Sequence, residues 1–362
     1  MTRTLMVMAG GTGGHIFPGL AIARAMQERG WNVRWLGTAH GMEGELVPRH
    51  GFKLDTIAFA GLRGKGIGHA VSGAVAFFKS LFRVRTLMNE SRADVVLGMG
   101  GYVTVPGGIV AGLSSRPLAL VNADAAPLLS NRLLAPFARR VLFGFKGDFG
   151  SLAKKAVVTG NPVRREICEL PEPAARYAGR TGPLRVLVVG GSLGARALNE
   201  ALPPALAKLA TDVRPIVTHQ SGKANIEALR DAYAKAGVEA ELLPFIEDMP
   251  ERLAAADLVI CRAGAITAAE LTAAGVASVL VPLVVSTTSH QRDNAVLLER
   301  EGAAIHLPQS KLSADALADC LGSLTRDRCL DMAKAARSLG RRNATEDIAA
   351  ILEALVDAER AE

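Results

Sequence analysis

Two glycine-dense turns stand about 180 residues apart in this chain, each closing a short apolar strand and opening a helix. The first reads Leu5-Met6-Val7-Met8-Ala9-Gly10-Gly11-Thr12-Gly13-Gly14-His15 and the second Val186-Leu187-Val188-Val189-Gly190-Gly191-Ser192-Leu193-Gly194-Ala195-Arg196. A strand, a glycine loop and a helix in succession present unpaired backbone N–H groups and the positive end of a helix dipole, a seat for an anion. One such unit is a phosphate site or a tight turn. One in each half predicts paired α/β domains, their ligand lying beyond the carboxyl ends of the strands in a deep cleft.

The rest of the sequence fits that plan. A chain of 362 residues suits two domains of ordinary size. Apolar runs at 4–8, 32–36, 53–57, 95–99, 118–122 and 140–143 alternate with helical stretches, among them 18–29, which opens on Pro18 and closes at Gly30. The second half repeats the scheme, with strands at 185–189, 213–218, 239–244, 257–261, 278–281 and 304–306 and helices at 198–210, 225–236, 266–274 and 290–301. From Ala314 onward the chain reads as helix only. We expect an N-terminal Rossmann-like domain over 1–163 and a second over 164–340. A C-terminal helix at 341–362 would pack back toward the first.

Composition narrows the function. Apolar residues at 49% and charged residues at 21% describe a folded globular protein. Aromatics at 4% leave few platforms for stacking nucleobases, and no nucleic-acid-binding motif is visible. The net charge of +7 therefore asks for phosphates or an anionic membrane surface. Cys168, Cys261, Cys320 and Cys329 form neither a CxxC pair nor a metal-ligand spacing, which suits a reducing compartment. The N-terminal apolar run is too short for a signal peptide, and no stretch is long enough to span a bilayer.

Neither glycine loop is followed by Lys-Ser/Thr, so neither is a P-loop. Ile16 stands where a dinucleotide fingerprint needs its third glycine, and the second strand ends at Trp35-Leu36-Gly37 without an acidic group for a ribose. A nicotinamide oxidoreductase loses its support. A third glycine-rich stretch, Gly98-Met99-Gly100-Gly101-Tyr102-Val103-Thr104-Val105-Pro106-Gly107-Gly108, brings another backbone edge toward the same place.

Taken with Gly160-Asn161-Pro162-Val163-Arg164 and Arg262-Ala263-Gly264-Ala265, these motifs closely resemble, in order and over nearly the whole chain, the MurG family of peptidoglycan glycosyltransferases. The resemblance implies a GT-B fold and an inverting β-1,4 transfer. N-acetylglucosamine would pass from UDP-N-acetylglucosamine to lipid I, an undecaprenyl-diphosphate muramyl peptide, giving lipid II. It also implies a peripheral enzyme on the cytoplasmic side of the bacterial inner membrane, with division or elongation proteins as partners. Two other readings are a UDP-N-acetylglucosamine 2-epimerase-like enzyme and a non-catalytic sugar-nucleotide-binding subunit.

Such a transfer must stabilise a departing UDP and take a proton from the acceptor hydroxyl. No Asp-x-Asp pair is present, so no metal or other cofactor is expected, and the diphosphate charge falls to backbone N–H groups and basic side chains. Ser192 and the helix opening near Ala195 are the expected diphosphate seat, with Arg164 as its cation or simply a solvated arginine. His15, at a helix N-terminus that disfavours imidazolium, is either the general base or a loop-capping histidine. Thr12, Gly13 and Gly14 of the same loop are expected to bind the donor, and Gly100, Gly101 and Tyr102 would form an acceptor or membrane face.

Thr267-Ala268-Ala269-Glu270 reads as a capping box with Thr267 as N-cap; the resemblance instead makes Glu270 the ligand of the UDP ribose, with Ala265, Ile266, Thr267, Ala268 and Ala269 as donor-binding residues beside it. It also implies that Gln291 contacts the donor sugar and that the Ile246 backbone meets the uracil. The chain departs from the family at Val121-Asn122-Ala123-Asp124, where His-Glu-Gln-Asn is usual. A donor-binding asparagine would thus fall on Asp124. Finally, apolar residues at 67, 71, 74, 75, 78, 81 and 82 recur at helical spacing beside cationic groups. The helix either packs on the sheet or presents Phe78, Lys79 and Phe82 to anionic lipid.

Overall fold

The structure, a computed structural model, describes residues 2–58, 67–191, 194–283 and 290–361. The chain divides into two compact units, one of residues 1–163 with 342–362 and one of residues 164–341.

The first unit is a seven-stranded parallel sheet of β1 (Thr4–Ala9), β2 (Asn32–Gly37), β3 (Lys53–Thr56), β4 (Val95–Gly100), β5 (Leu118–Asn122), β6 (Arg140–Phe143) and β7 (Ala156–Val158). Their order is β3-β2-β1-β4-β5-β6-β7. Strands buried on both faces read as continuous apolar runs, and β1 shows the alternation that results. Leu5, Val7 and Ala9 pack beneath the helices Gly13–Glu28 and Ala344–Ala361. Met6 and Met8 pack on the other face with Val84, Leu87 and Val110 from the helices Ile67–Glu90 and Thr104–Leu113. Arg29 pairs with Glu353 and Arg3 with Asp357, tying the last helix to this unit.

The second unit is a six-stranded parallel sheet of β8 (Arg185–Val189), β9 (Ile216–Gln220), β10 (Glu241–Leu243), β11 (Leu258–Cys261), β12 (Ala277–Leu280) and β13 (Ala304–His306). The order β10-β9-β8-β11-β12-β13 repeats the crossover of the first sheet. Its strand boundaries fall within a few residues of the sequence reading, the largest offset being β9, which starts at Ile216 rather than Val213.

Two boundaries matter for the site. The first helix opens at Gly13, not Pro18, because the Thr12 carbonyl accepts the His15 and Ile16 N–H groups. Pro18 lies inside the helix at the cost of one backbone bond. The register between β1 and β4 shifts after Met8, setting Ala9 opposite Gly100 and skipping Met99. That irregularity carries Gly100 and Gly101 to the first glycine loop.

Candidate functional site

In the first unit groups from the carboxyl ends of three strands, β1, β4 and β5, act on His15. It is the third residue of its helix and half-buried. Its Nδ1 lies 3.3 Å from the Gly10 carbonyl and 3.4 Å from Thr12 Oγ1. A carbonyl can only accept, so Nδ1 carries the proton and Nε2 is left as the acceptor. Burial lowers the His15 pKa, while the Gly10 carbonyl and the Asp124 charge push it back up. The ring is neutral at neutral pH, and burial leads that effect.

Gly100 and Gly101 make room for this ring. Both hold positive φ, +110° and +86°. A Cβ on Gly100 would sit 2.8 Å from the imidazole, and one on Gly101 would sit 2.3 Å from the Gly10 oxygen. Tyr102, expected on an acceptor face, has its hydroxyl committed to Glu43 Oε1 at 3.0 Å, beside Thr38 Oγ1. Glu43 was not singled out in the sequence. It is fully buried and also accepts from the Gly11 N–H at 3.1 Å. That N–H is therefore committed to the Glu43 carboxylate rather than to a ligand phosphate.

The departure at 121–124 has a structural account. Asn122 is fully buried. Its amide donates to the Asp124 and Ala126 carbonyls at 2.8 and 3.0 Å, and its oxygen accepts from the Leu128 N–H at 2.8 Å. It fastens its own loop, and that loop sets the Asp124 carboxylate within electrostatic reach of His15.

In the second unit the glycine loop after β8 leans on Gln220. The Gly190 N–H donates to Gln220 Oε1 at 3.1 Å, and Gln220 Nε2 donates to the Gly191 and Pro244 carbonyls at 3.0 and 3.2 Å. Gly194 has φ +77°, and a Cβ there would fall 2.0 Å from the Ser221 oxygen. The following helix runs Arg196–Lys208. Ser192, expected at the diphosphate seat, lies outside the described residues, as do residues 64–66 of the basic segment.

The turn after β11 gathers the other expected donor groups. Its helix runs Ala265–Ala274 with Gly264 as N-cap and no acidic residue in the first turn. The capping box is therefore overturned: Thr267 is third and Glu270 sixth in the helix, too far along to cap it. Glu270 instead meets Arg164, whose Nε and Nη2 both donate to Oε1, at 3.2 and 2.9 Å. Burial raises the Glu270 pKa and the Arg164 charge opposes it. Asn294, buried, donates to the Ala263 carbonyl at 3.0 Å, drawing the helix His290–Arg300 to the same turn. Gln291 on that helix accepts the Leu283 N–H at 2.8 Å through Oε1. The Ile246 side chain is buried after β10. Ala268 and Ala269 are buried within the helix.

The helix Ile67–Glu90 has two apolar sides. Leu81, placed in one stripe with Phe78 and Phe82 by the sequence, packs with Phe77 against the core alongside Val84 and Met88. Val75, Phe78 and Phe82 are exposed, at 50%, 61% and 75%. Lys79 and Arg83 stand among them, lining with Ala58, Val75, Ala76 and Ser80 a pocket of about 490 Å³. Among the described residues no helix is long and apolar enough to cross a membrane.

Comparisons with known proteins agree with this fold. Residues 5–143 match the glycosyltransferase family 28 N-terminal domain, and residues 185–350 match the glycosyltransferase family 28 C-terminal domain. A protein of Janthinobacterium sp. (strain Marseille) is 63% identical over 98% of this chain and 99% of its own length. Another, from Herminiimonas arsenicoxydans, is 63% identical with the same coverage. Both are named UDP-N-acetylglucosamine–N-acetylmuramyl-(pentapeptide) pyrophosphoryl-undecaprenol N-acetylglucosamine transferase. The crystal structure of Acinetobacter baumannii MurG superposes with a TM-score of 0.84 at 36% identity, covering 97% of this chain and 99% of that one. A Listeria monocytogenes protein provisionally assigned as a UDP-N-acetylglucosamine 2-epimerase has a TM-score of 0.67 at 14% identity, over 99% of this chain and 98% of that one, a likeness of fold alone. The fold is GT-B. With both domain matches in order and full-length identity of this size, the chain belongs to the MurG family of glycosyltransferases.

Proposed function

We propose that this enzyme transfers N-acetylglucosamine from UDP-N-acetylglucosamine to the C4 hydroxyl of the muramyl sugar of lipid I, giving lipid II and UDP. The observation that carries the reading is 63% identity, over nearly the full length of both chains, to transferases of that name. The epimerase alternative has only a shared fold behind it.

His15 Nε2 takes the proton of the acceptor hydroxyl as its oxygen attacks C1 of the donor sugar. The C1–O bond to UDP breaks with inversion, and the electron pair leaves on the diphosphate. Three features support the base role: a neutral ring, a proton fixed on Nδ1, and space at Nε2 kept by Gly100. Thr12, Gly13 and Gly14 shape this loop on the donor side.

The donor sits on the second unit. The N-terminal turn at Ala265, Ile266 and Thr267 offers N–H groups to the diphosphate, and Ser192 is its second expected ligand. Arg164 and Glu270 form a pair that opens on binding, Arg164 passing to the diphosphate and Glu270 to the ribose hydroxyls. Ala268 and Ala269 back this turn. Gln291 keeps its amide nitrogen for the sugar, its oxygen being held by Leu283. The Ile246 backbone meets the uracil. Asp124, expected on the donor, acts instead on the acceptor side, where its charge favours the protonated imidazole formed in the reaction.

No divalent ion is needed in this scheme. Phe78, Phe82 and Lys79 seat the enzyme on the anionic cytoplasmic leaflet, where the lipid-linked acceptor lies. The test is transfer of radiolabelled sugar from UDP-N-acetylglucosamine to a lipid I analogue with excess chelator present. Labelled lipid II is the expected product. No transfer, or transfer only after magnesium or manganese is restored, overturns the scheme.

A further inference from the structure

The peptide joining Gly10 to Gly11 is held on both sides. Its N–H donates to Glu43 Oε2 at 3.1 Å, and its carbonyl lies 3.3 Å from His15 Nδ1. A trans peptide points its N–H and C=O in opposite directions, so one rigid unit joins a carboxylate to an imidazole. Glu43 Oε1 is engaged as well, accepting from the Thr38 N–H at 3.1 Å, Thr38 Oγ1 at 2.8 Å and the Tyr102 hydroxyl at 3.0 Å.

Three segments leave space for this one side chain. A Cβ on Gly10, Gly37 or Gly41 would come within 2.8, 2.7 or 2.4 Å of Glu43 atoms. Burial pushes the Glu43 carboxyl up, but donors from its own backbone, Thr38 and Gly11 outweigh it and hold the group below its ordinary range. Glu43 is thus a buried, ionised carboxylate with no surface role.

We propose that Glu43 is a positioning residue that orients and polarises His15 through the Gly10–Gly11 peptide. The proposal rests on the reading of His15 as proton acceptor. An anion bound to the N–H of a peptide makes the carbonyl of that peptide a stronger acceptor. The tighter Nδ1–H bond fixes the tautomer and enriches Nε2 in electron density. No proton travels along the relay: Glu43 stays ionised and the peptide neutral. Around the ring stand Gly100 from β4, the Thr12 hydroxyl as a second acceptor for Nδ1–H, and Asp124 beyond β5, whose charge acts in the same direction.

The test is a ¹⁵N NMR titration of the His15 ring in the full-length Glu43→Gln variant, beside steady-state kinetics. The relay predicts a His15 pKa lower by about 0.5–1 unit and a less pure Nδ1–H tautomer. It also predicts kcat down roughly three- to tenfold with UDP affinity unchanged. An unmoved His15 titration and tautomer overturns it. If Glu43→Gln does not fold, Tyr102→Phe keeps the charge and removes one competing donor, so His15 should titrate higher; an unchanged or lower value overturns the relay. Should His15→Ala retain turnover, the base reading fails, while the NMR result still judges the relay.

Discussion

Replacing Glu270 separates a ligand-binding role from a structural one. Glu270 takes two hydrogen bonds from Arg164 on one oxygen, with Arg164 44% and Glu270 19% exposed on their side chains. An ion pair with one half-exposed partner is worth less than about 1 kcal/mol, and burial already works against the ionised carboxyl. Glu270→Ala should therefore leave thermal stability nearly unchanged. Binding is different, because ribose hydroxyls donating to a carboxylate make charged hydrogen bonds of about 1.5–3 kcal/mol. Isothermal titration with UDP should show Kd raised roughly 10- to 150-fold by Glu270→Ala. Glu270→Gln keeps an acceptor and loses the charge, costing about 1 kcal/mol, or roughly fivefold. A UDP Kd unchanged in Glu270→Ala would refute the ribose assignment. A large fall in melting temperature would show that the pair is structural.

Other outcomes follow from the same geometry. His15→Ala should lower kcat by about 10²–10⁴ while UDP affinity stays within roughly twofold by titration; equal damage to both would remove the base assignment. Gly101→Ala should cost more than about 2 kcal/mol in chemical denaturation, since its φ is +86° and the new Cβ would strike the Gly10 oxygen; wild-type stability would contradict this packing. Phe82→Asp should weaken flotation with anionic vesicles and leave UDP binding intact; unaltered flotation would place the membrane face elsewhere. Acid should destabilise the fold through His219, which burial lowers from 6.5 to about 3. The folded state refuses a proton that the unfolded chain takes, so stability is full above pH 6.5 and falls between there and about 3, by about 1.4 kcal/mol per pH unit. His219→Gln should flatten that slope in urea melts across the window.

Much of the site was legible because glycine is the only residue that tolerates what these loops do. Positive φ and contacts under 3 Å leave a mark in the sequence, as at Gly100, Gly101 and Gly194. Glu43 and Gln220 left none. Glu43 lies on the short helix Met42–Arg49, and Gln220 stands two residues past the strand expected at 213–218. Their functions arise from partners 32 and 30 residues away. The Thr267–Glu270 spacing misled for a related reason. A capping box is a local pattern, whereas the helix start at Ala265 was set by the Gly264 turn after β11.

By itself the sequence determined two α/β units, the succession of apolar runs along each, the glycine loops and the membership of a family. Those are properties of local backbone freedom and short-range periodicity, which neighbouring residues carry. Only tertiary structure decided which nitrogen of His15 holds the proton, that Asn122 fastens a loop whose Asp124 charge acts on the imidazole, and that Arg164 meets Glu270. It also turned one apparent stripe on the helix Ile67–Glu90 into a packed side and an exposed one. Hydrogen bonds and charges act over a few ångströms in space, and chain separation sets no limit on which residues the fold brings that close.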